Sequence, residues 1–269
     1  MQLPGVYEAK KKDGTIYYRA SLTFKNKHIS LGSYENPEMA AQAYKEGQLL
    51  LAAPKLTIHA YPPSSSLSFE KWVCLVNFRD SGIYIKNPIE LRANYFFYYL
   101  SPSHVLKFDR DDLFYYSSHK IMMRQGHLFV SDYGMQVSIL SRYGIKSYAV
   151  RDRDYRHLNG DELDFRYENL EIINPYYGVF RIGTPGNYRY KARIHLRSNY
   201  VIGTFDQEIH AAIAYNKAVD TLRTQGIERN FPENYIENIS GKLYAEIYSS
   251  IQLPERILHF RKEAHKALK

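Results

Sequence analysis

Apolar and polar residues alternate in short runs near both ends of the chain. Three such runs toward the N-terminus are separated by Lys12-Asp13-Gly14 and Lys25-Asn26-Lys27. Three more, beyond residue 175, are separated by Pro185-Gly186-Asn187 and Arg197-Ser198-Asn199. Alternation of this kind, interrupted by turn residues, predicts three-stranded antiparallel meanders. After each meander the spacing becomes helical. One helix is predicted to open after Asn36, with Pro37 in its first turn, and another near Asp206. In the second helix Ile209, Ala212, Ile213, Ala218, Val219 and Leu222 share one side, and the small alanines let it lie close on one sheet face. Between these segments Tyr61-Pro62-Pro63-Ser64-Ser65-Ser66 reads as a linker. Phe69–Phe78 and Ile83–Tyr99 carry strand-like or partly buried apolar runs, followed by the stretches Phe108–Leu113 and Gly126–Val130. From Pro232 onward two helices are predicted, 233–252 and 254–269. The last carries Arg256, Arg261, Lys262, Lys266 and Lys269 and reads as a solvated terminal helix, contact with DNA or a second subunit being the alternative.

The two ends match one another. Gly5-Val6-Tyr7 is answered by Gly178-Val179-Phe180, and Tyr18-Arg19-Ala20-Ser21-Leu22 by Tyr190-Lys191-Ala192-Arg193-Ile194. Leu31-Gly32-Ser33-Tyr34 is answered by Ile202-Gly203-Thr204-Phe205, and Ala40-Ala41-Gln42-Ala43-Tyr44 by Ala211-Ala212-Ile213-Ala214-Tyr215. The offset drifts only from 173 (Gly5 to Gly178) to 171 (Ala40 to Ala211), so the chain holds an internal repeat.

With the helix on one sheet face, the other face is left to act. In the second copy Arg189, Lys191, Arg193 and His195 alternate with Tyr190, Ala192 and Ile194. In the first, Arg19, Ser21 and Thr23 alternate with Ala20 and Leu22. A solvated face accounts for the alternation alone; four successive cationic or titratable side chains point further, because such a sheet fits the major groove of B-form DNA. Composition agrees. Lys and Arg total 36 against 28 Asp and Glu, a formal charge of +8, which favours an anionic partner. The 26 tyrosines are read mainly as filling sheet faces. The single cysteine, Cys74, rules out an intramolecular disulfide and a cysteine-rich zinc site. No apolar run is long enough to cross a bilayer, and Met1–Gly5 shows no secretory pattern, so a cytoplasmic, nucleoid-associated protein is expected. Walker-type phosphate loops and dinucleotide fingerprints are absent from the sequence; Gly183-Thr184-Pro185-Gly186 is a turn.

The blocks Gly-Val, Tyr-x-Ala-x-Ile/Leu, Leu/Ile-Gly-Ser/Thr-aromatic and Ala-Ala-x-Ala-Tyr resemble the ethylene-response-factor (apetala-type) DNA-binding domain, over residues 4–52 and 176–231. The resemblance implies that sheet residues contact bases and phosphates in the major groove. Carried across by position, the DNA face holds Tyr7, Ala9, Lys11, Ser21, Thr23, His28 and Ser30 in the first copy. In the second it holds Phe180, Ile182, Thr184, Arg193, His195, Asn199 and Val201. Positions that are arginine or tryptophan in the family are often tyrosine, serine or aliphatic here, so the family's target sequence does not transfer. Neighbouring Arg19, Arg181, Arg189, Lys191 and Arg197 supply charge instead.

The middle segment contains Arg156-His157-Leu158-Asn159-Gly160-Asp161-Glu162-Leu163-Asp164-Phe165-Arg166-Tyr167-Glu168-Asn169-Leu170, which resembles the HNH endonuclease motif. Bacterial and phage nucleases of that kind often carry an apetala-type module directly downstream. The resemblance implies a ββα fold, His157 as general base and Asn169 as a ligand for Mg²⁺. Arg156 stands where the metal-binding carboxylate belongs, and Phe165 replaces the asparagine that orients the histidine. A guanidinium repels a cation. Asp154, Asp161 or Asp164 are the candidate substitutes. A degenerate site is therefore expected, with Asn159-Gly160-Asp161 kept as turn chemistry and Arg151, Arg153, Arg156 and Arg166 free to clamp a phosphate backbone, partly offset by Asp152 and Asp154.

The sequence thus predicts an α+β chain. Two modules of three-stranded antiparallel sheet plus helix (1–60 and 175–232) flank a ββα HNH-like middle domain (61–174), with C-terminal helices (233–269). The expected partner is double-stranded DNA, read specifically by a transcriptional regulator that uses no cofactor, no small-molecule substrate and no membrane. The alternative is an HNH homing-type endonuclease or nickase using Mg²⁺. RNA binding by tyrosine-rich faces is a third reading.

Overall fold

A computed structural model describes residues 3–237 and 239–260. Among these residues the fold is α+β, with four three-stranded antiparallel sheets and one two-stranded ribbon. The chain divides into two compact units. One runs to Tyr143 and includes His157–Leu170; the other comprises Gly144–Arg156 and the chain from Glu171 onward.

The first unit opens with β1 (Val6–Lys10), β2 (Ile16–Phe24) and β3 (Lys27–Tyr34), paired in that order. Lys25 and Asn26 both take positive φ in the tight turn from β2 to β3, the twist such hairpins need. Helix α1 (Pro37–Ala52) starts as predicted: Asn36 Oδ1 accepts from Met39 N at 2.8 Å, and Pro37 occupies the first turn. Its Ala40, Ala43 and Leu50 meet Ala20, Leu22, Ile29 and Leu31 of the sheet.

Two expectations for the following segment are corrected. Residues 61–66 are docked rather than a linker: Glu46 of α1 accepts from Ser65 Oγ at 2.6 Å and Ser66 N at 3.0 Å, and Leu67 is buried. Phe69–Phe78, read as strand-like or partly buried, is buried for most of its length and lies in helix α2 (Phe69–Ser81), capped by Ser68 and closed by Gly82 in the left-handed conformation. Every residue from Trp72 to Phe78 is buried, because α2 packs on α1 and also on β4 (Ile89–Leu91) and β5 (Tyr95–Ser101). A helix covered all round loses the amphipathic period that would identify it.

β4, β5 and β6 (His104–Asp109) form the next sheet, then come α3 (Leu113–Ser118) and a meander of β7 (Ile121–Arg124), β8 (His127–Asp132) and β9 (Met135–Ser138). Phe96, Phe108 and Phe165 stack in series at 5.4 and 5.5 Å in this part of the core. β10 (Tyr155–His157) and β11 (Leu170–Ile172) make the ribbon. The loop between them docks on β6, with Lys107 N donating to Leu163 O at 2.8 Å and Phe165 N to Lys107 O at 2.7 Å. The ββα arrangement expected here is not formed: no helix separates β11 from the next strand, since only Ile173–Gly178 intervene.

The second unit repeats the first module. β12 (Val179–Thr184), β13 (Asn187–His195) and β14 (Asn199–Phe205) pair in order, and α4 (Glu208–Thr224) covers one face. Its N-cap is Gln207 without a side-chain bond, one residue beyond the Asp206 that the sequence indicated. Of the helix predicted over 233–252 only Gly241–Ser250 is helical, and the described part of the C-terminal segment is better anchored than predicted. α5 (Gly241–Ser250) and α6 (Glu255–Leu258) are joined by chain whose Ile251 and Leu253 are buried with Ile257 in the core of α4. Lys217 Nζ donates to Tyr248 O and Ile251 O, both at 2.7 Å. Arg256 lies in α6, whereas Arg261, Lys262, Lys266 and Lys269 lie outside the described residues.

The four matching sequence blocks meet in space in both copies. Gly5 (φ +68°) and Gly178 (φ +72°) sit where a Cβ would enter the ring of Tyr44 and Tyr215 respectively and crowd Ser21 O or Arg193 O. Ser21 N donates to Gly5 O at 2.9 Å and Arg193 N to Gly178 O at 2.8 Å. Gly32 and Gly203 lie under the rings of Tyr34 and Phe205. Both sheets carry their irregularity at the same place, after Ala20 and after Ala192. The repeat is therefore one packing solution used twice. No described helix is long and apolar enough to cross a membrane.

Candidate nucleic-acid interface

Register assigns the faces. Val6, Ala20, Leu22 and Ile29 are buried under α1, so their neighbours in the alternation point the other way. That outward face carries the cross-strand pairs Tyr7–Arg19, Ala9–Tyr17, Ser21–Ser30 and Thr23–His28, with Lys11 just beyond β1. In the second copy the equivalent pairs are Phe180–Lys191, Ile182–Arg189, Arg193–Val201 and His195–Asn199. Of the residues placed by the family resemblance, Tyr7, Ala9, Ser21, Thr23, His28 and Ser30 of the first copy and Phe180, Ile182, Arg193, His195, Asn199 and Val201 of the second thus fall on the face opposite the helix.

The two faces differ in charge. The first presents Arg19, whose Nη2 donates to Tyr17 Oη at 2.5 Å, and Lys11 and His28 at its margins. Ser21 is only 7% exposed, so it presents little surface on this face. Thr23 and Ser30 remain exposed. On the second face Arg189 is offset by exposed Asp206 at 3.0 Å, and His195 Nδ1 lies 3.1 Å from Asn199 Oδ1. Lys191 and Arg193 have no carboxylate partner among the described residues, and Arg193 Cζ lies 4.0 Å from the centroid of Phe180. Arg197 is exposed in the turn from β13 to β14.

Arg181 is not part of this face. It pairs across with Tyr190, which packs on the core side. Its guanidinium lies over the Tyr188 ring at 4.6 Å and 3.3 Å from Glu171. The strict alternation of strands explains this, since a residue beside an outward Phe180 and Ile182 must turn inward. What sequence reasoning missed is a contribution from Gly144–Arg156: Tyr148, Val150 and Arg153 stand at one end of the second sheet's outward face, in the same unit. The basic residues there were visible, but no local pattern connects them to a sheet that follows in the chain.

The ribbon residues are committed elsewhere. Asn169 is 3% exposed; its Nδ2 donates to Asp164 O at 2.8 Å and its Oδ1 accepts from Asn159 N at 2.8 Å. Its amide therefore closes the loop rather than facing a ligand. Phe165 is buried and meets His157 edge-on at 5.7 Å. Arg156 Nε donates to Glu171 at 2.6 Å, and Arg166 binds Asp164 at 2.7 Å and also Glu168. Arg153 is likewise held by Asp154, at 2.5 Å. Burial by itself raises the carboxyls of Asp154, Asp164 and Glu171. Hydrogen bonds from Arg153 to Asp154, from Arg166 to Asp164, and from Arg156 and Arg181 to Glu171 nevertheless hold them below their ordinary values. Of the residues expected to clamp phosphate, Arg156 and Arg166 both have guanidinium groups paired with carboxylates. Asp161 Oδ1 accepts from Leu163 N as a turn bond, as its type predicts. Among the described residues no cluster of three or more His, Cys, Asp or Glu is placed to hold a metal ion. With a guanidinium at position 156 and the Asn169 amide occupied, these residues do not fit a divalent cation.

Comparison with protein-family models, with curated proteins and with solved structures gave no match.

Proposed function

We propose that this chain binds double-stranded DNA sequence-specifically and acts as a transcriptional regulator, reading the major groove with its two three-stranded sheets. The second sheet is the principal reader. The observation that carries this reading is the row Arg189, Lys191, Arg193 and His195 along β13, on the face that α4 leaves uncovered. A sheet of this width enters the major groove, where arginine pairs with guanine edges or phosphates and lysine with phosphates. The first sheet, with Arg19 as the cation of its central strand, adds contacts and raises local concentration at a neighbouring site. The resemblance of both modules to the apetala-type domain supports the same reading. The ribbon around His157 serves as structure, a reading supported by the internal bonds of Asn169 and the carboxylate pairing of Arg156.

The experiment is selection from random duplex DNA with the full chain, the recovered pool being divided and incubated with Mg²⁺ or Mn²⁺. An enriched motif that stays intact is the expected result. Failure to enrich any sequence sinks the claim of specific reading. Cut duplex, lost on His157→Ala, would instead make the ribbon a nuclease site.

A further inference from the structure

One end of the second sheet's outward face is a cavity rather than an open plane. Within the same unit, Tyr148 and Arg153 stand against Phe180 of β12 and Arg193 and His195 of β13, enclosing a volume of about 300 Å³. That lies at the lower end of the range for small-molecule sites.

The walls combine two chemistries. Arg193 and Arg153 lie over one ring, with Cζ at 4.0 and 5.3 Å from the centroid of Phe180. Tyr148 meets Tyr177 edge-on at 4.5 Å, and Tyr177 meets buried Tyr215 in the same way at 5.3 Å, so the aromatic wall is braced from the core. The two arginines are not equivalent. Asp154 neutralises Arg153, whereas Arg193 has no carboxylate partner among the described residues. The cavity therefore offers one uncompensated guanidinium, an adjacent His195–Asn199 pair 3.1 Å apart, and a flat aromatic side.

We propose that this cavity binds a nucleoside monophosphate unit, its phosphate on Arg193 and its base against Tyr148. The inference rests on the DNA-binding reading above for one of its two sources. A phosphate alone would leave the aromatic wall unused, and an apolar ligand would bury the charge of Arg193 without a partner. A planar base carrying a phosphate satisfies both sides. Such a unit comes either from a nucleotide extruded from the duplex, which costs least where the nucleotide is unpaired, or from a free mononucleotide.

The full chain is titrated with a fully paired duplex, the same duplex carrying one unpaired nucleotide, deoxynucleoside monophosphates, and inorganic phosphate. The duplex with the unpaired nucleotide is expected to bind about tenfold more tightly than the paired one, the effect of one stacked base. Tyr148→Ala removes that gain, Tyr148→Phe keeps it, and an unchanged circular dichroism spectrum and urea midpoint report that the variants are folded. Saturable binding of a mononucleotide but not of phosphate, lost in Tyr148→Ala and without preference for the unpaired nucleotide, assigns the site to a free nucleotide. Equal binding of both duplexes with no mononucleotide binding overturns the cavity proposal and leaves the DNA reading standing. Absence of binding to any duplex overturns the DNA reading, and the mononucleotide titration then decides the cavity by itself.

Discussion

Lys191 and Arg193 give the most direct test of the reading face, because neither charge is offset by a carboxylate among the described residues, unlike Arg189 beside Asp206. Each phosphate contact releases condensed counterions, so log affinity falls with log salt by about 0.9 per contact on B-form DNA. Replacing both residues by alanine should therefore make the slope shallower by about 1.8. Between about 50 and 200 mM salt the native chain should lose about twelvefold more affinity than the double variant. The assay is fluorescence anisotropy with one selected duplex across a salt series. Arg181→Ala, which removes one charge against the two lost in the double variant, is the control, since its guanidinium lies on the opposite side of β12 over Tyr188. Should the double variant keep the native slope, or Arg181→Ala flatten it by about 0.9, as expected of one phosphate contact, the assignment of faces to DNA is wrong.

Three further predictions follow from packing and electrostatics. Gly178→Ala places a methyl group in the Tyr215 ring at a left-handed backbone position, and should cost about 3 kcal/mol or more in urea unfolding of the second unit; the strain alone is about 1–2 kcal/mol. Asn169→Ala removes the loop bonds to Asp164 O and Asn159 N, and should lower stability by about 2–3 kcal/mol without any added metal, whereas a metal-ligand role would make the loss metal-dependent. Asp154 and Asp164 have carboxyls held below the ordinary value of 3.8 in the folded chain. Their stabilisation is complete above that value and is lost as pH falls through the lower folded values, so the urea midpoint should drop from about pH 4 downward. Asp164→Asn should flatten that drop, and an unchanged acid profile would remove Asp164 from the account.

Local rules sufficed for the repeated modules. Turns such as Lys25-Asn26, the cap at Asn36 and the alanine-rich helices depend on near neighbours, and the alternation along β13 assigned Arg193 and His195 to one face before any fold was known. The same alternation places Arg181 on the opposite face, so its inclusion among the readers ran against the period rather than being hidden by it. The sequence alone also identified the loop around Asn159-Gly160-Asp161, because its turn bonds are local.

Tertiary structure decided what depends on long-range contact. Trp72–Val76 of α2 reads as an unbroken apolar run because neighbours cover this part of the helix on every side, which erases the helical period. Phe165 is an anomaly in a nuclease motif but a natural member of a stack with Phe108 and Phe96, residues far away in the chain. Whether a charged side chain is available for a ligand is likewise a question of distance. Arg156 and Arg166 are spent on Glu171 and Asp164, while Arg193 is left over a phenyl ring, and composition treats all three alike. Period and turn chemistry determined the strands and their faces; only the folded chain determined which charges remain to meet a partner, because pairing depends on side chains brought together by the fold.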